Sequence, residues 1–383
     1  AGAHVLETVI QNKQKVDAAL FIGKGKVEEV KIVCNALDAN IVIFDDELAP
    51  SQIRNLEEAL EITIIDRTTL ILDIFAQRAI TKEAKMQVEL AQLKYRLPRL
   101  LGLGKSLSRT GAGIGTRGPG EQKLEIDKRR ILEKISDIRN QLKEVVKNRE
   151  VQRAQRKKNK IPVVSLVGYT NAGKSTLMNK FLEVTGQEES NKQVYCEDML
   201  FATLDTFHRK ITLSDNKEFI LTDTVGFVSK LPHHLVDAFK ATLEEVLESD
   251  LLLHVVDASN DNYQLQIDVT EKVLNDLGVK DKQVIYVFNK CDIATEMIPR
   301  DKSIIGISAL TGENVDELIK RIKEVIFKDI VSCTLLLPYD KGDLASKIYK
   351  SSTVLNQEYL EDGIKLECEL NEVEYNKYKE SLI

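Results

Sequence analysis

Residues 168–175 read Gly-Tyr-Thr-Asn-Ala-Gly-Lys-Ser, a G-x-x-x-x-G-K-S pattern. An apolar run at Val163–Val167 precedes it and a helical pattern opens at Thr176. That strand–loop–helix context is what a phosphate-cradling loop requires. The glycines let backbone N–H groups turn onto phosphate oxygens, and the helix N-terminus favours their negative charge. Gly168, Asn171, Ala172, Gly173, Lys174, Ser175 and Thr176 are therefore candidate nucleotide ligands. Lys174 would reach the β- and γ-phosphates and is one catalytic candidate, while the Ser175 hydroxyl would ligate Mg²⁺.

Two further motifs follow in register. Asp223-Thr224-Val225-Gly226 ends a second apolar run, 55 residues after Gly168. Asp223 can hold Mg²⁺ through water. The Gly226 N–H can meet the γ-phosphate and sense its loss, which makes Gly226 the other catalytic candidate. Asn289-Lys290-Cys291-Asp292 follows the run Gln283–Phe288. Asp292 can accept from guanine N1–H and the exocyclic amine. Adenine lacks that donor pair and would leave a charged acceptor unpaired. The Lys290 stem can cover the base and Asn289 can brace the loop. Sixteen residues beyond Asp292, Ser308-Ala309-Leu310 offers a backbone N–H near Ala309 for guanine O6. The nucleotide expected is GTP or GDP, not ATP. A threonine between Gly173 and Asp223 should complete the Mg²⁺ shell; Thr203 is preferred, with Thr206 and Thr170 as alternatives. The metal set expected is Ser175, Thr203 and Asp223.

The elements that must position these motifs are legible as periodicities. Five apolar strand candidates, Val163–Val167, Lys217–Thr222, Leu251–Val256, Gln283–Phe288 and Ile304–Ile307, alternate with helical stretches across residues 161–330. This predicts a mainly parallel sheet covered on both faces. Residues 1–70 read as a small α/β unit, with strands at Ile41–Phe44 and Ile62–Ile65 and helices at Lys26–Leu37 and Ser51–Leu60. Residues 71–160 carry two apolar stripes at helical spacing: Leu72, Phe75, Ala79, Met86, Leu90, Leu93, Leu97, then Leu124, Ile131, Ile135, Ile138, Leu142, Val145. They predict an antiparallel helical hairpin whose first helix stops at Pro98 and whose connection is a Gly-rich loop over 102–120. Residues 331–383 read as a small α/β C-terminal domain, with strands near Cys333–Leu337 and Ile364–Leu370. The fold class expected is α/β, a P-loop GTPase domain flanked by these three pieces.

Composition excludes several classes. The chain has 383 residues, too many for one compact domain, and its formal charge is −6. Residues 76–160 invert that sign, with 23 Lys and Arg against 9 Asp and Glu. Seven of the 19 glycines fall within Gly102–Gly120. Such a segment suits RNA phosphates, and Arg109, Arg117, Arg153, Arg156, Lys157 and Lys158 are the candidate contacts. A charge run by itself is more often only a solvated face. The cysteines are five, far apart, with no C-x-x-C pair, which argues against a disulfide framework or zinc site. No run nears membrane-spanning length, and residues 1–15 lack a signal peptide's apolar stretch. The chain opens on Ala, so residues before it could be missing. A cytoplasmic monomer is expected, with peripheral membrane association left open. No histidine pair has metal spacing, and His254, inside an apolar strand, reads as a core side chain.

The GTPase motifs, joined to Thr110–Ile126 (TGAGIGTRGPGEQKLEI) and to Ile22-Gly23-Lys24-Gly25-Lys26, resemble the HflX-type ribosome-associated GTPases over essentially the whole chain. The Gly-rich stretch is the most specific part of the likeness. The resemblance implies a GTPase that binds the large ribosomal subunit and its rRNA and dissociates or rescues stalled ribosomes. It also implies that the helical region contacts rRNA. Two positions stand out. Members usually carry proline and threonines after the switch Leu-Asp, where this chain has Leu204-Asp205-Thr206-Phe207-His208-Arg209. Phe227 follows Gly226, where Ras-like enzymes have a water-orienting glutamine; the related groups share an apolar residue there.

Phosphoryl transfer here is positioning plus charge neutralisation. Without the glutamine, hydrolysis by the protein alone should be slow and completed by a partner. K⁺ is a further candidate cation, since Asn171 stands where similar GTPases use asparagine to hold it. The alternative is a regulatory GTP switch acting on a protein partner without RNA, with the hairpin as a docking rod. The glycines at 111–120 lack a G-K-[ST] ending and do not read as a second nucleotide loop.

Overall fold

The computed structural model describes residues 2–12, 15–107, 119–158, 161–187, 206–215, 217–228, 245–294, 299, 301–328, 330–339 and 342–382. For 101–107, 119–123, 148–150, 152–158, 342–343, 350–351, 353, 371–374 and 380 the description stops at the backbone.

The N-terminal unit is α1 (Lys24–Leu37), β1 (Ile41–Phe44), α2 (Pro50–Leu60) and β2 (Thr63–Asp66), with β1 and β2 parallel. Its core gathers Val27, Val30, Cys34, Phe44, Leu56, Leu60 and Ile64. Pro50 opens α2, a position where proline's missing N–H costs nothing. Asp66 ends β2 and caps α3 (Arg67–Arg78), its carboxylate accepting the Thr69 N–H at 3.0 Å.

The helical region differs from the sequence expectation at Pro98, in the division of the first stripe and in the Gly-rich connection, of which 102–107 and 119–120 are helical. The first stripe divides between α3 and α4 (Lys82–Leu107), and Pro98 lies inside α4 rather than ending it. The residue that follows this proline is anchored. Arg99 donates to Tyr95 O at 3.0 Å, to Leu48 O at 3.3 Å and to Asp66 at 2.9 Å. The stripe also serves two cores. Met86, Leu90, Leu93 and Leu97 pack on Ile131, Ile135, Ile138, Leu142 and Val145 of α5 (Pro119–Lys158), as a hairpin should. Leu72, Phe75 and Ala79 instead join Ala84, Val88, Ala91 and Tyr95 in a cluster with Val167 and Leu252 of the large sheet.

That sheet contains β3 (Val163–Gly168), β4 (Phe207–Thr212), β5 (Glu218–Asp223), β6 (Leu251–Asp257), β7 (Gln283–Asn289) and β8 (Ile304–Gly306) in the order β4-β5-β3-β6-β7-β8. All neighbours are parallel except β4 with β5. Among the helices on its faces are α6 (Lys174–Val184), α7 (Tyr263–Asp276) and α8 (Val315–Ile326). The edge strand β4 was not expected. Its sequence FHRKIT alternates charged exposed positions with inward ones, so no apolar run announces it. Every motif starts at a strand's carboxyl end: Gly168 ends β3, Asp223 ends β5 and Asn289 ends β7. Ligands of open α/β sheets bind at that edge.

Beyond α8, β9 (Ile330–Leu337), α9 (Gly342–Ser351), β10 (Thr353–Leu360), β11 (Gly363–Asn371) and α10 (Glu372–Lys377) form an antiparallel sheet ordered β10-β11-β9. β10, an edge strand, is the second element that the apolar pattern missed. Glu369 of β11 pairs with Lys217, just before β5, at 2.8 Å.

Candidate nucleotide-binding site

The phosphate loop is shaped before any ligand arrives. Gly168 has φ +146, and a Cβ there would lie 2.2 Å from Val255 O. Gly173 has φ +92, and a Cβ there would meet Asn289 Nδ2 at 2.2 Å. Neither position admits a side chain. Lys174 is buried, and its ammonium donates to Gly168 O at 3.1 Å and Tyr169 O at 2.9 Å. Burial pushes its pKa down to about 8, partly offset by the Asp223 carboxylate. A phosphate would therefore meet a desolvated cation already aimed into the loop.

The Ser175 hydroxyl donates to Asp223 Oδ2 at 2.6 Å. Two hard oxygen donors in contact, one anionic, at the mouth of a phosphate loop suit Mg²⁺. The Asp223–Gly226 strap is stitched to the loop. Thr224 Oγ1 donates to Leu166 O at 2.6 Å. Beyond it, the Thr170 N–H donates to Phe227 O at 2.7 Å and the Phe227 N–H to Gly168 O at 3.1 Å. A Cβ on Gly226 would lie 2.7 Å from Thr170 Cα and 3.0 Å from Lys174 Nζ. Phe227 is buried, together with Val225 and Val228, in the cluster that contains Ile71, Leu72, Phe75, Val88 and Tyr95 of α3 and α4. Its ring occupies the helical interface.

The base side is braced by Asn289. Its Nδ2 donates to Ala172 O at 2.9 Å and its Oδ1 accepts the Ala309 N–H at 2.8 Å. Lys290 has φ +65 and its ammonium meets Asp257 at 2.7 Å. Asp292 and Leu310 are exposed, whereas Ser308 and Ala309 are buried.

Residues 163–290 match a family described as 50S ribosome-binding GTPase. Residues 1–76 and 78–156 match GTP-binding GTPase N-terminal and middle regions, and 294–382 match the HflX C-terminal domain. The chain belongs to the HflX family of GTPases. A GTPase HflX of Caldanaerobacter subterraneus subsp. tengcongensis is 50% identical over 97% of this chain and 85% of its own length. GTPase HflX of Escherichia coli is 41% identical, over 95% of this chain and 85% of its own length. Among solved structures, a GTP-binding protein of Sulfolobus solfataricus in complex with GDP is 25% identical with a TM-score of 0.40, covering 82% of this chain and 89% of that one. This HflX-family chain is thus a GTP hydrolase with a ribosome-binding type of GTPase domain.

Within the HflX-family chain, the structure brings Gly168, Asn171, Ala172, Gly173, Lys174, Ser175 and Thr176 together with Asp223 and Gly226. It also brings Asn289, Lys290 and Asp292 beside Ser308, Ala309 and Leu310. The Ala309 N–H, the expected donor to guanine O6, donates to Asn289 Oδ1 in this structure. Thr203, Arg109 and Arg117 lie outside the described residues. Thr206 stands just before Phe207, the partner of Asp223 in the β4–β5 ladder. Its buried hydroxyl has no hydrogen-bond partner among the described residues. Thr170 belongs to the phosphate loop, bonded to Phe227. Arg153, Arg156, Lys157 and Lys158 fall on the final turns of α5, where only the backbone is described. Sequence reasoning missed Asp257; the available signal was its place at the end of β6, opposite Asn289 at the end of β7. None of the described helices is long and apolar enough to cross a membrane.

Proposed function

We propose that this GTPase binds the large ribosomal subunit in its GTP state, dissociates or rescues ribosomes, and leaves after hydrolysis. The supporting observation is the shared core in which Val225, Phe227 and Val228, at and just beyond the γ-phosphate-sensing strap, pack against α3 and α4. α4 leads into the Gly-rich stretch and the basic helix α5. A strap that moves with the γ-phosphate must then repack the base of the RNA-facing module. Arg109, Arg117, Arg153, Arg156, Lys157 and Lys158 are the proposed rRNA contacts.

In this reading Lys174 and the loop N–H groups hold the β- and γ-phosphates, and Asp292 selects guanine. Ser175, Asp223 and Thr203 would hold Mg²⁺, which would supply neutralisation of phosphate charge. The chain offers no glutamine after Gly226, so the ribosome completes the site. Asn171, exposed with φ +62 at the loop's tip, is the proposed K⁺ ligand. Equal hydrolysis rates in K⁺ and Na⁺ at matched ionic strength would exclude that role.

The test is GTP hydrolysis by the purified protein, alone and with large subunits, alongside Lys174→Ala. Strong stimulation that the variant loses, with cosedimentation in a non-hydrolysable GTP analogue, is expected. Slow hydrolysis with neither stimulation nor cosedimentation would overturn the ribosomal reading and leave the GTPase intact.

A further inference from the structure

One ion pair ties the loop after β7 to the end of β6. Asp257 ends β6 in register with Asn289, which ends β7. Its Oδ2 accepts from Lys290 Nζ at 2.7 Å. Its Oδ1 accepts the Ser259 N–H at 3.1 Å and the Ser259 hydroxyl at 2.6 Å. The Ala258 N–H donates to Asn289 O at 2.9 Å, so the loops after β6 and β7 are also tied through their backbones. The pair is largely withdrawn from water, with Lys290 26% and Asp257 14% exposed. Lys290 holds a left-handed backbone at φ +65, which a lysine keeps only where its surroundings impose it.

We infer that Asp257, itself set by Ser259, is a positioning residue for guanine recognition, anchoring the Lys290 ammonium so that the lysine stem forms a fixed wall of the base slot. The inference rests on the guanine-binding reading of Asn289–Asp292. Two physical arguments carry it. A lysine chain has more rotamer freedom to lose than most side chains. Anchoring its end beforehand leaves less to order when the nucleotide binds. Charge is the second argument. Asp292 lies two residues from Lys290 and is exposed. An ammonium released from Asp257 could swing to Asp292 and compete with the guanine N1–H and amine for the same carboxylate. Asp257 thus keeps Asp292 available, and specificity as well as affinity depends on it.

The test measures dissociation constants for GDP and for IDP, which lacks the exocyclic amine, by calorimetry. The proteins are wild type, Asp257→Ala, Ser259→Ala, Lys290→Met, the Asp257→Ala/Lys290→Met double variant and Asp292→Ala. Asp257→Ala should weaken GDP binding about tenfold and shrink the GDP-to-IDP ratio, and Ser259→Ala should weaken it about threefold. In the Lys290→Met background, which keeps an apolar chain without charge, Asp257→Ala should add nothing. An unchanged GDP constant, or equal weakening with and without the Lys290 ammonium, overturns the inference. If Asp257→Ala does not fold, Ser259→Ala decides: wild-type GDP binding overturns it. Asp292→Ala separates the two readings, since undiminished GDP binding in that variant would reject the guanine assignment itself.

Discussion

Asn289 joins the two halves of the nucleotide site, its amide donating to Ala172 O at 2.9 Å while its carbonyl oxygen accepts the Ala309 N–H at 2.8 Å. One buried side chain therefore sets the distance between the phosphate loop, the base loop and the loop after β8. Asn289→Ala should cost both bonds and leave a buried carbonyl and N–H unpaired. The expected loss is roughly 2–4 kcal/mol, or two orders of magnitude in GDP affinity. Calorimetric titration with GDP and with inorganic diphosphate checks it. A purely base-side role would weaken GDP alone, and the bridge predicts that both ligands suffer.

Gly226 is packed so closely on the phosphate loop that a methyl group there would lie 2.7 Å from Thr170 Cα. Gly226→Ala must push the strap off the loop and displace the N–H proposed to meet the γ-phosphate. GTP hydrolysis should fall about a hundredfold, the scale of losing one oriented donor. GDP lacks the γ-phosphate and should bind within a few-fold of wild type. Single-turnover hydrolysis and GDP titration separate these effects. A parallel loss of GDP affinity would show that the whole loop, not the strap, has moved.

Phe227 occupies the position of the Ras-like glutamine, but its ring is buried against α3 and α4. Restoring the glutamine should therefore not restore catalysis. Phe227→Gln is expected to leave the hydrolysis rate no higher than wild type and to destabilise the fold, because an amide replaces a ring in an apolar cluster. Phe227→Ala should cost about 3–5 kcal/mol. Urea unfolding and single-turnover hydrolysis give both readouts, and a rate gain in Phe227→Gln would mean that this side chain reaches the nucleotide.

The same residue shows where sequence reading stops. The G-x-x-x-x-G-K-S, D-x-x-G and N-K-x-D motifs are local patterns with fixed backbone demands, so Lys174, Ser175, Asp223 and Asn289 were legible, as was the parallel sheet that ends at them. The apolar cluster that Phe227 shares with Phe75 and Tyr95 joins segments far apart in the chain, and no spacing rule encodes that. The stripe from Leu72 to Leu97 has one helical period but two partners, which only tertiary packing can divide. Pro98 misled for a related reason. Proline breaks helices by local geometry, yet Arg99 is held by two tertiary acceptors, Leu48 O and Asp66. Edge strands β4 and β10 escaped because polar residues interrupt any apolar run in FHRKIT and TVLNQEYL.

His254 lies in β6 beside Val167 of β3, its ring 5.2 Å from Tyr286, whose hydroxyl donates to Glu271. Burial, reinforced by the nearby Lys174 charge, pulls its pKa down to about 4. The folded protein thus holds a neutral imidazole, whereas the unfolded chain takes up a proton below about pH 6.5. Stability is complete above that value and is lost as pH falls towards 4. Between about pH 7 and pH 5 the wild type should lose about 2 kcal/mol more than His254→Phe, in which this titration is absent. Urea unfolding at the two pH values measures the difference, and equal losses would show that His254 is solvated or charged in the fold.

Arg99 and Asp66 fasten α4 to the N-terminal unit. Asp66 is fully buried and accepts from the Leu48 N–H at 3.2 Å, the Thr69 N–H at 3.0 Å, Arg99 at 2.9 Å and the Tyr95 hydroxyl. The guanidinium also lies over the Tyr95 ring, 3.4 Å from its centroid. Arg99→Ala leaves the carboxylate without its countercharge and frees the turn that contains Pro98. Arg99 is 21% exposed, so solvent screens part of the loss. About 2–3 kcal/mol is expected. Arg99→Lys should recover little, because one ammonium cannot reach Leu48 O, Tyr95 O and Asp66 together. Hydrogen exchange locates the effect: amides around Pro98 should lose protection in both variants while those of β6 keep it. Uniform loss across the chain would make the triad a general stabiliser. Unchanged exchange of the amides around Pro98 would leave the continuity of α4 to its packing on α5 alone.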